Sequence, residues 1–343
     1  MSRLRRALRG VGRASHSRED AFREALLRLL ERDLSGAEEA LARAARANSD
    51  DPDAYLALAA LYRSRGEIGR AIRIHQNLLL RSDLPEGARN EALAGLAADF
   101  QRGGFLQRAI AAFEEVLEQS PKDPTALRAL GELHADARDF KRALEMSRRL
   151  AKQTGEDGAA DEAALWVRSA AVAHAEGRSD DARRDLKRAL RSDADATDAW
   201  IALGELEAER GKDKRALEAW KRVPGIDRRS GPQVYPKIEA TYAALGKPRD
   251  YETWLRKLID DRPGEAASRL ALIRCLLARG AAEEALTEAQ ELTQRDPGSL
   301  AGQAASLQAL LASGRDEDAL KQAHELLQVL ARAGLLESRE RLM

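Results

Sequence analysis

The side chains that could bind a metal or form a thiolate centre are few and widely spaced in this sequence. The five histidines are His16, His75, His134, His174 and His324. No two of them are four residues apart, the spacing that would place two imidazole ligands on one helical face. Cys275 is the single cysteine, and one thiol forms neither an internal disulfide nor a multi-thiolate zinc cluster. We therefore expect no metal, no other cofactor and a reducing compartment.

Motifs for nucleotide binding and for acid–base catalysis are incomplete. The dipeptide Gly246-Lys247 lacks both the upstream glycine and the following Ser or Thr of a phosphate-binding loop. Glu205, Glu207 and Glu209 alternate within a helical stretch, a pattern that more often forms a solvated face than a pair of catalytic carboxylates. We therefore expect that this chain is not an enzyme.

The balance of charges and the apolar content limit the possible partners. Lys and Arg together number 57, as do Asp and Glu, so no net positive field favours nucleic acid as a partner. The sequence is 44% apolar and only 4% aromatic, a composition typical of amphipathic helices. No apolar run approaches the roughly 18 residues that would span a membrane, and no signal peptide is recognisable. These features predict a cytoplasmic protein.

A glycine followed five residues later by an alanine recurs along the chain. The pairs are Gly66 and Ala71, Gly104 and Ala109, Gly177 and Ala182, Gly211 and Ala216, Gly280 and Ala285, and Gly314 and Ala319. We call the alanine site the packing position and include Ala37, Ala143 and Tyr251. Successive packing positions are then 34, 38, 34, 39, 34, 35, 34 and 34 residues apart, and a period near 34 is that of the tetratricopeptide helical hairpin.

Other residue types keep the same register. Bulky residues lie sixteen positions before the packing position, at Tyr55, Leu93, Leu127, Trp166, Trp200 and Tyr235. Proline follows it by twelve residues at Pro121, Pro263 and Pro297, where it would end one helix. The pattern predicts an all-α, right-handed tetratricopeptide superhelix of about nine hairpins over residues 18–343, after a basic arm at residues 1–17. Two longer linkers, Arg81–Arg89 and Gln153–Glu162, are expected to be polar loops.

One stretch is more specific than the repeat itself. Arg65–Leu79 reads RGEIGRAIRIHQNLL and precedes the first long linker. It resembles the second hairpin of the lipopolysaccharide assembly protein B family, bacterial inner-membrane tetratricopeptide proteins. The resemblance extends over roughly Ser17–Arg262. The motif residues that carry it in this hairpin are Arg70, Arg73, His75 and Gln76.

The resemblance implies a function in lipopolysaccharide synthesis. Family members are adaptors that connect the deacetylase of lipid A synthesis to a membrane-bound AAA+ protease, and they carry an N-terminal membrane helix and a C-terminal rubredoxin-like zinc module. Neither module is recognisable in this sequence. The resemblance therefore implies a docking adaptor at the cytoplasmic face of the inner membrane. The alternative is a general tetratricopeptide scaffold for another envelope process, such as pilus or secretion assembly.

Candidate partner-binding residues follow from the register. First helices of such hairpins line a concave groove, and the predicted groove residues are Arg63, Arg102, Arg128, Glu132, His174, Glu205 and Glu209. This polarised set suits an extended or helical peptide, although an ordinary solvated face has the same composition. His75 is either a contact to a partner or a hydrogen-bonded core histidine.

The N-terminal arm has two interpretations. Residues 1–18 contain six arginines and no acidic residue, and Leu4, Leu8 and Val11 share one helical face. Such a segment could bind weakly to an anionic membrane surface. Because Gly10 and Gly12 disfavour a helix, a disordered basic tail is the alternative.

Overall fold

The computed structural model describes residues 20–332, except residue 22, and these residues form helices and turns without any strand. The predicted arm at residues 1–17 lies outside the described part. The chain divides into two compact units, residues 1–177 and residues 178–343. The described part of unit 1 starts with helical residues 20–21 and 23–30. It continues with α1 (Leu34–Ala47), α2 (Pro52–Ser64), α3 (Ile68–Leu79), α4 (Glu86–Arg102), α5 (Leu106–Gln119), α6 (Pro124–Asp136), α7 (Phe140–Thr154) and α8 (Ala159–Ala175).

Unit 2 consists of helices of similar length with one short addition. Its helices are α9 (Ser179–Ser192), α10 (Thr197–Glu209), α11 (Asp213–Trp220), α12 (Val223–Ile226), α13 (Gly231–Ala244), α14 (Pro248–Asp261), α15 (Ala266–Ala278), α16 (Ala282–Arg295), α17 (Leu300–Ala312) and α18 (Asp316–Arg332). The four-residue helix α12 is held by Arg262, whose Nη2 donates to the carbonyl oxygen of Gly225 at 2.6 Å. Apart from α12, the helices alternate as first and second members of hairpins.

The packing position lies in the second helix of every hairpin. It is no more than 2% exposed in all nine cases, including Tyr251 in α14. An alanine methyl group lets two helices approach closely, and stacking of neighbouring hairpins then buries the apolar face that one hairpin cannot bury alone. The predicted all-α tetratricopeptide fold is confirmed.

The turn inside each hairpin uses a left-handed residue five positions before the packing position. Gly66 has a φ of 78° and Gly104 a φ of 75°, whereas Arg32 and Arg138 take the same place with φ values of 60° and 61°. Glycine adopts this conformation without a Cβ penalty. The two arginines therefore carry local backbone strain that the glycines avoid.

The expectation of two long polar loops was wrong in part. Helix α4 already begins at Glu86 and α8 at Ala159. Each contains 17 residues, against 13 in α2, so most of the additional residues form an extra N-terminal turn. Acidic residues in that first turn, Glu86 in α4 and Asp161 in α8, are favourable near the partial positive charge of a helix N-terminus.

Candidate functional site

The first helices of the second and third hairpins enclose a cleft of about 640 Å³, which we call the α2–α4 cleft. Its lining residues are Ala60, Arg63, Ser64, Ala98, Gln101 and Arg102. Arg63 and Arg102, two of the predicted groove residues, thus lie in the same cleft. The remaining polar lining groups are the hydroxyl of Ser64 and the amide of Gln101, so the lining carries no carboxylate.

Arg63 is fixed by a buried network and is only partly exposed. Its Nη1 donates to Asp99 Oδ1 at 2.9 Å and to the carbonyl oxygen of Gly95 at 3.1 Å. Asp99 is fully buried, and its Oδ2 lies 2.6 Å from His75 Nδ1. His75 itself is only 2% exposed. His75 is therefore a hydrogen-bonded core residue, one of the two alternatives that the sequence left open.

Sequence reasoning missed Asp99, although the register contained a signal for it. Asp99 lies ten residues before its packing position, where Leu61, Leu133 and Leu206 stand in other hairpins. A carboxylate at a position that leucine occupies in these three hairpins is buried only when it is paired and hydrogen-bonded. The departure from leucine therefore predicts a cationic partner for Asp99, which the structure identifies as the partly exposed Arg63.

The resemblance motif contains one buried residue, His75, and three exposed residues. Arg70 lies over the ring of Tyr62, with Cζ 3.7 Å from the ring centroid, and its Nη2 is 3.0 Å from Glu38. The Tyr62 hydroxyl donates to Glu38 at 2.7 Å. This bond lowers the pKa of the Glu38 carboxyl, while burial and the same bond raise the pKa of Tyr62 to about 12. Arg73 and Gln76 are exposed on α3, as Arg70 is.

A second cleft, of about 320 Å³, lies between α6, α7 and α8, and we call it the α6–α8 cleft. Its apolar lining comes from Leu127, Leu150 and Leu165. Its charged lining includes Arg128, Glu132 and Asp161. The extra turn of α8 supplies Asp161. Arg128 and Glu132, both predicted groove residues, have no hydrogen-bond or ion-pair partner among the residues that the structure describes.

Within unit 1, the predicted groove residues Arg63, Arg102, Arg128 and Glu132 line two clefts. His174 is exposed on α8 of unit 1, while Glu205 and Glu209 are exposed on α10 of unit 2. Glu205 forms an ion pair with Lys237. The structure brings together Arg63 with Arg102, and Arg128 with Glu132.

In the part of the chain that the structure describes, the geometry provides neither a set of metal ligands nor an activated thiol. Within residues 20–332, no group of three or more His, Cys, Asp or Glu side chains is placed to hold a metal ion. Cys275 is half-buried, and burial raises the pKa of its thiol. Since the thiolate is the reactive form, a raised pKa lowers the reactivity of this cysteine. None of the described helices is both long and apolar enough to cross a membrane.

Comparison with known proteins agrees with the repeat register. Tetratricopeptide repeat profiles match residues 95–157, 173–237 and 241–299, which together make up more than half of the chain. Lipopolysaccharide assembly protein B of Escherichia coli is 29% identical over 234 residues, covering 68% of this chain. The protein of that name from Haemophilus influenzae is 34% identical over 100 residues, covering 29% of this chain and 25% of the relative.

The matched region spans 60% of the length of the Escherichia coli relative. Among solved structures, a tetratricopeptide repeat protein from Parabacteroides merdae covers 76% of this chain, and this chain covers 99% of it, with a TM-score of 0.43 and 16% identity. The match to MamA from Desulfovibrio magneticus covers 52% of this chain and 96% of the MamA chain, with a TM-score of 0.37 and 17% identity. Structural similarities this low carry no functional argument. On its profiles and its register, the chain belongs to the tetratricopeptide repeat family and is similar to lipopolysaccharide assembly protein B.

Proposed function

We propose that this chain is a non-enzymatic adaptor that docks client proteins on the first-helix face of unit 1. The clients would be the lipid A deacetylase and the membrane AAA+ protease, and the adaptor would regulate lipopolysaccharide synthesis by holding them together. The similarity to lipopolysaccharide assembly protein B supports this choice of clients. The proposal places the protein at the cytoplasmic face of the inner membrane.

The observation that carries the docking role is the pair of clefts on first helices of unit 1. Both contain charged side chains without partners in the described part of the chain, namely Arg102 in one cleft and Arg128 and Glu132 in the other. Helical repeat arrays commonly present such surfaces for extended or helical segments of other proteins. Unpaired charges beside apolar lining supply both specificity and contact area.

Membrane contact through residues 1–17 forms a separate part of the proposal. Each arginine near an anionic surface contributes on the order of 1 kcal/mol of binding, so the arm could hold the adaptor close to a membrane-bound client. Co-sedimentation with anionic vesicles at low salt tests this part. Equal, weak binding of the full chain and of a chain lacking residues 1–18 would eliminate it.

The client proposal is tested with purified proteins. The immobilised full chain should bind the lipid A deacetylase and the protease in biolayer interferometry, and charge reversal at Arg102 and Arg128 should weaken this binding at least tenfold. Arg73→Glu, on the exposed face of α3, is the matched control and should bind like the parent. Absence of binding by either client would contradict the proposal and favour the general envelope scaffold.

A further inference from the structure

Two adjacent register positions in unit 2 hold a pair of basic residues in three successive hairpins. They lie five and six residues after the packing position. We call this set the basic row, and its members are Lys187 and Arg188, Lys221 and Arg222, and Arg256 and Lys257. The next hairpin has Gln290 and Glu291 at these positions, so the row ends there. Because basic and acidic residues balance over the whole chain, the row is a local concentration of positive charge.

The row lies on the side of the second helices that faces solvent. In α9, Leu186 and Ala189 are buried, whereas Lys187 and Arg188 between them are exposed. The pair that directly follows α11 keeps right-handed helical backbone angles, so it continues the corresponding face of that helix. The row is therefore separate from the two clefts of unit 1, which first helices line.

In each pair one cation is held by the protein and the other is free. Hydrogen bonds within the chain occupy one member of each pair, and the acceptors are Asp185 for Arg188, Tyr242 for Lys221 and Glu252 for Arg256. The other members, Lys187, Arg222 and Lys257, are exposed and have no ion-pair partner among the described residues. Each of the three hairpins therefore offers one available cation.

The width of the row indicates the shape of its ligand. The positions that flank it on the solvent-facing side are mixed in charge, with Arg184, Glu218 and Thr253 on one side and Arg191, Gly225 and Asp260 on the other. A row one pair wide suits an extended chain better than a broad lipid surface. None of these positions is aromatic, although single-stranded nucleic acids bind largely by stacking on aromatic rings. We propose that the basic row binds an extended acidic segment of another protein.

The length of the row sets the length of that segment. One first helix packs between each second helix and the next, and packed helices are about 8–10 Å apart. Successive second helices are then at most about 20 Å apart, and the row extends over at most about 40 Å. About twelve residues of extended chain cover this distance. Because the three free cations are exposed, salt should screen the attraction and weaken binding.

The test uses a labelled, end-blocked peptide of about sixteen alternating Glu and Ser residues, which is long enough to span the row. Fluorescence anisotropy with the full chain at low salt should show at least tenfold weaker binding when glutamine replaces every glutamate. The row variant should weaken binding of the Glu peptide by a similar factor, and it combines Lys187→Gln, Arg222→Gln and Lys257→Gln. The control variant removes three exposed charges at the N-terminal ends of α11 and α14 and should bind like the parent; it combines Lys212→Gln, Lys214→Gln and Arg249→Gln.

Several results would overturn the inference. The parent chain could bind both peptides equally or neither of them, or the row and control variants could lose affinity to the same extent. Co-sedimentation with anionic vesicles that is lost in the row variant, without binding of the Glu peptide, would assign the row to a lipid surface instead. The comparison of the two peptides uses the parent chain alone, so it does not depend on the folding of a variant. This inference goes beyond the proposed function, and its failure leaves client docking on unit 1 unaffected.

Discussion

Two glycines at the same register position should respond in opposite ways to replacement by alanine. Gly131 in α6 and Gly204 in α10 each lie twelve residues before a packing position, where other hairpins have Ala59 and Ala97. A Cβ at Gly131 would meet Met146 Cβ at 3.7 Å, an ordinary contact. Alanine is favoured over glycine in a helix interior by about 1 kcal/mol, so Gly131→Ala should stabilise the protein by roughly that amount.

Gly204 is in contact with an indole that has little freedom to move. A Cβ there would lie 2.2 Å from Trp220 Nε1, and Trp220 is 3% exposed and donates to the carbonyl oxygen of Ile201 at 3.2 Å. Displacing the ring costs about 1–3 kcal/mol through overpacking, and losing the hydrogen bond costs about 1 kcal/mol more. When the gain in helix propensity of about 1 kcal/mol is subtracted from these two costs, Gly204→Ala should destabilise the protein by about 1–3 kcal/mol.

Urea unfolding followed by far-UV circular dichroism measures both effects. The double variant Gly204→Ala, Trp220→Leu is the decisive control, since leucine already occupies the equivalent position at Leu41, Leu186 and Leu255. In the Trp220→Leu background, the cost of Gly204→Ala should largely disappear, giving a measurable coupling energy. If Gly204→Ala stabilises the parent as Gly131→Ala does, the indole can move and the close-packing argument is refuted.

Three further predictions concern the buried charge, the buried imidazole and the strained turn. Asp99→Ala leaves Arg63 without its buried partner and should lower the free energy of unfolding in urea by about 3 kcal/mol. Asp136→Ala removes an exposed ion pair with Arg168 and should lower it by about 1 kcal/mol or less. Similar losses of stability in the two variants would contradict this reasoning. Burial lowers the pKa of His134 below its ordinary value of 6.5, so the unfolded chain binds the proton more readily and stability should fall as the pH drops below 6.5. His134→Phe should reduce this pH dependence in thermal melts at several pH values. An unchanged pH profile would argue against this role of His134. Arg138→Gly should raise the unfolding free energy by about 1 kcal/mol by relieving the left-handed strain, and a lower urea midpoint would refute that reasoning.

The packing positions were predictable from sequence because one physical constraint repeats. Two helices that touch through a methyl group favour small residues, so the spacing of alanines locates eight of the nine hairpins, and the period then locates the hairpin of Tyr251. The extra turns of α4 and α8 were harder to predict from the sequence. Spacings of 38 and 39 residues reveal an insertion without showing whether it is loop or helix. An insertion of about four residues is close to one helical turn, so the helix can lengthen while its apolar face stays in register.

The predicted groove residues show a different limit of prediction from the sequence. Arg63 and Arg102 lie eight and seven residues before their packing positions, and composition alone treats them as equivalent cations. A shift of one residue turns a side chain by about 100° around a helix. With this shift between them, Arg63 is bonded to the buried Asp99. Arg102 is exposed and has no partner among the described residues. Because ion pairing depends on side-chain reach and on burial of the partner, the charge pattern could identify candidates for client binding but could not separate the positioned arginine from the available one.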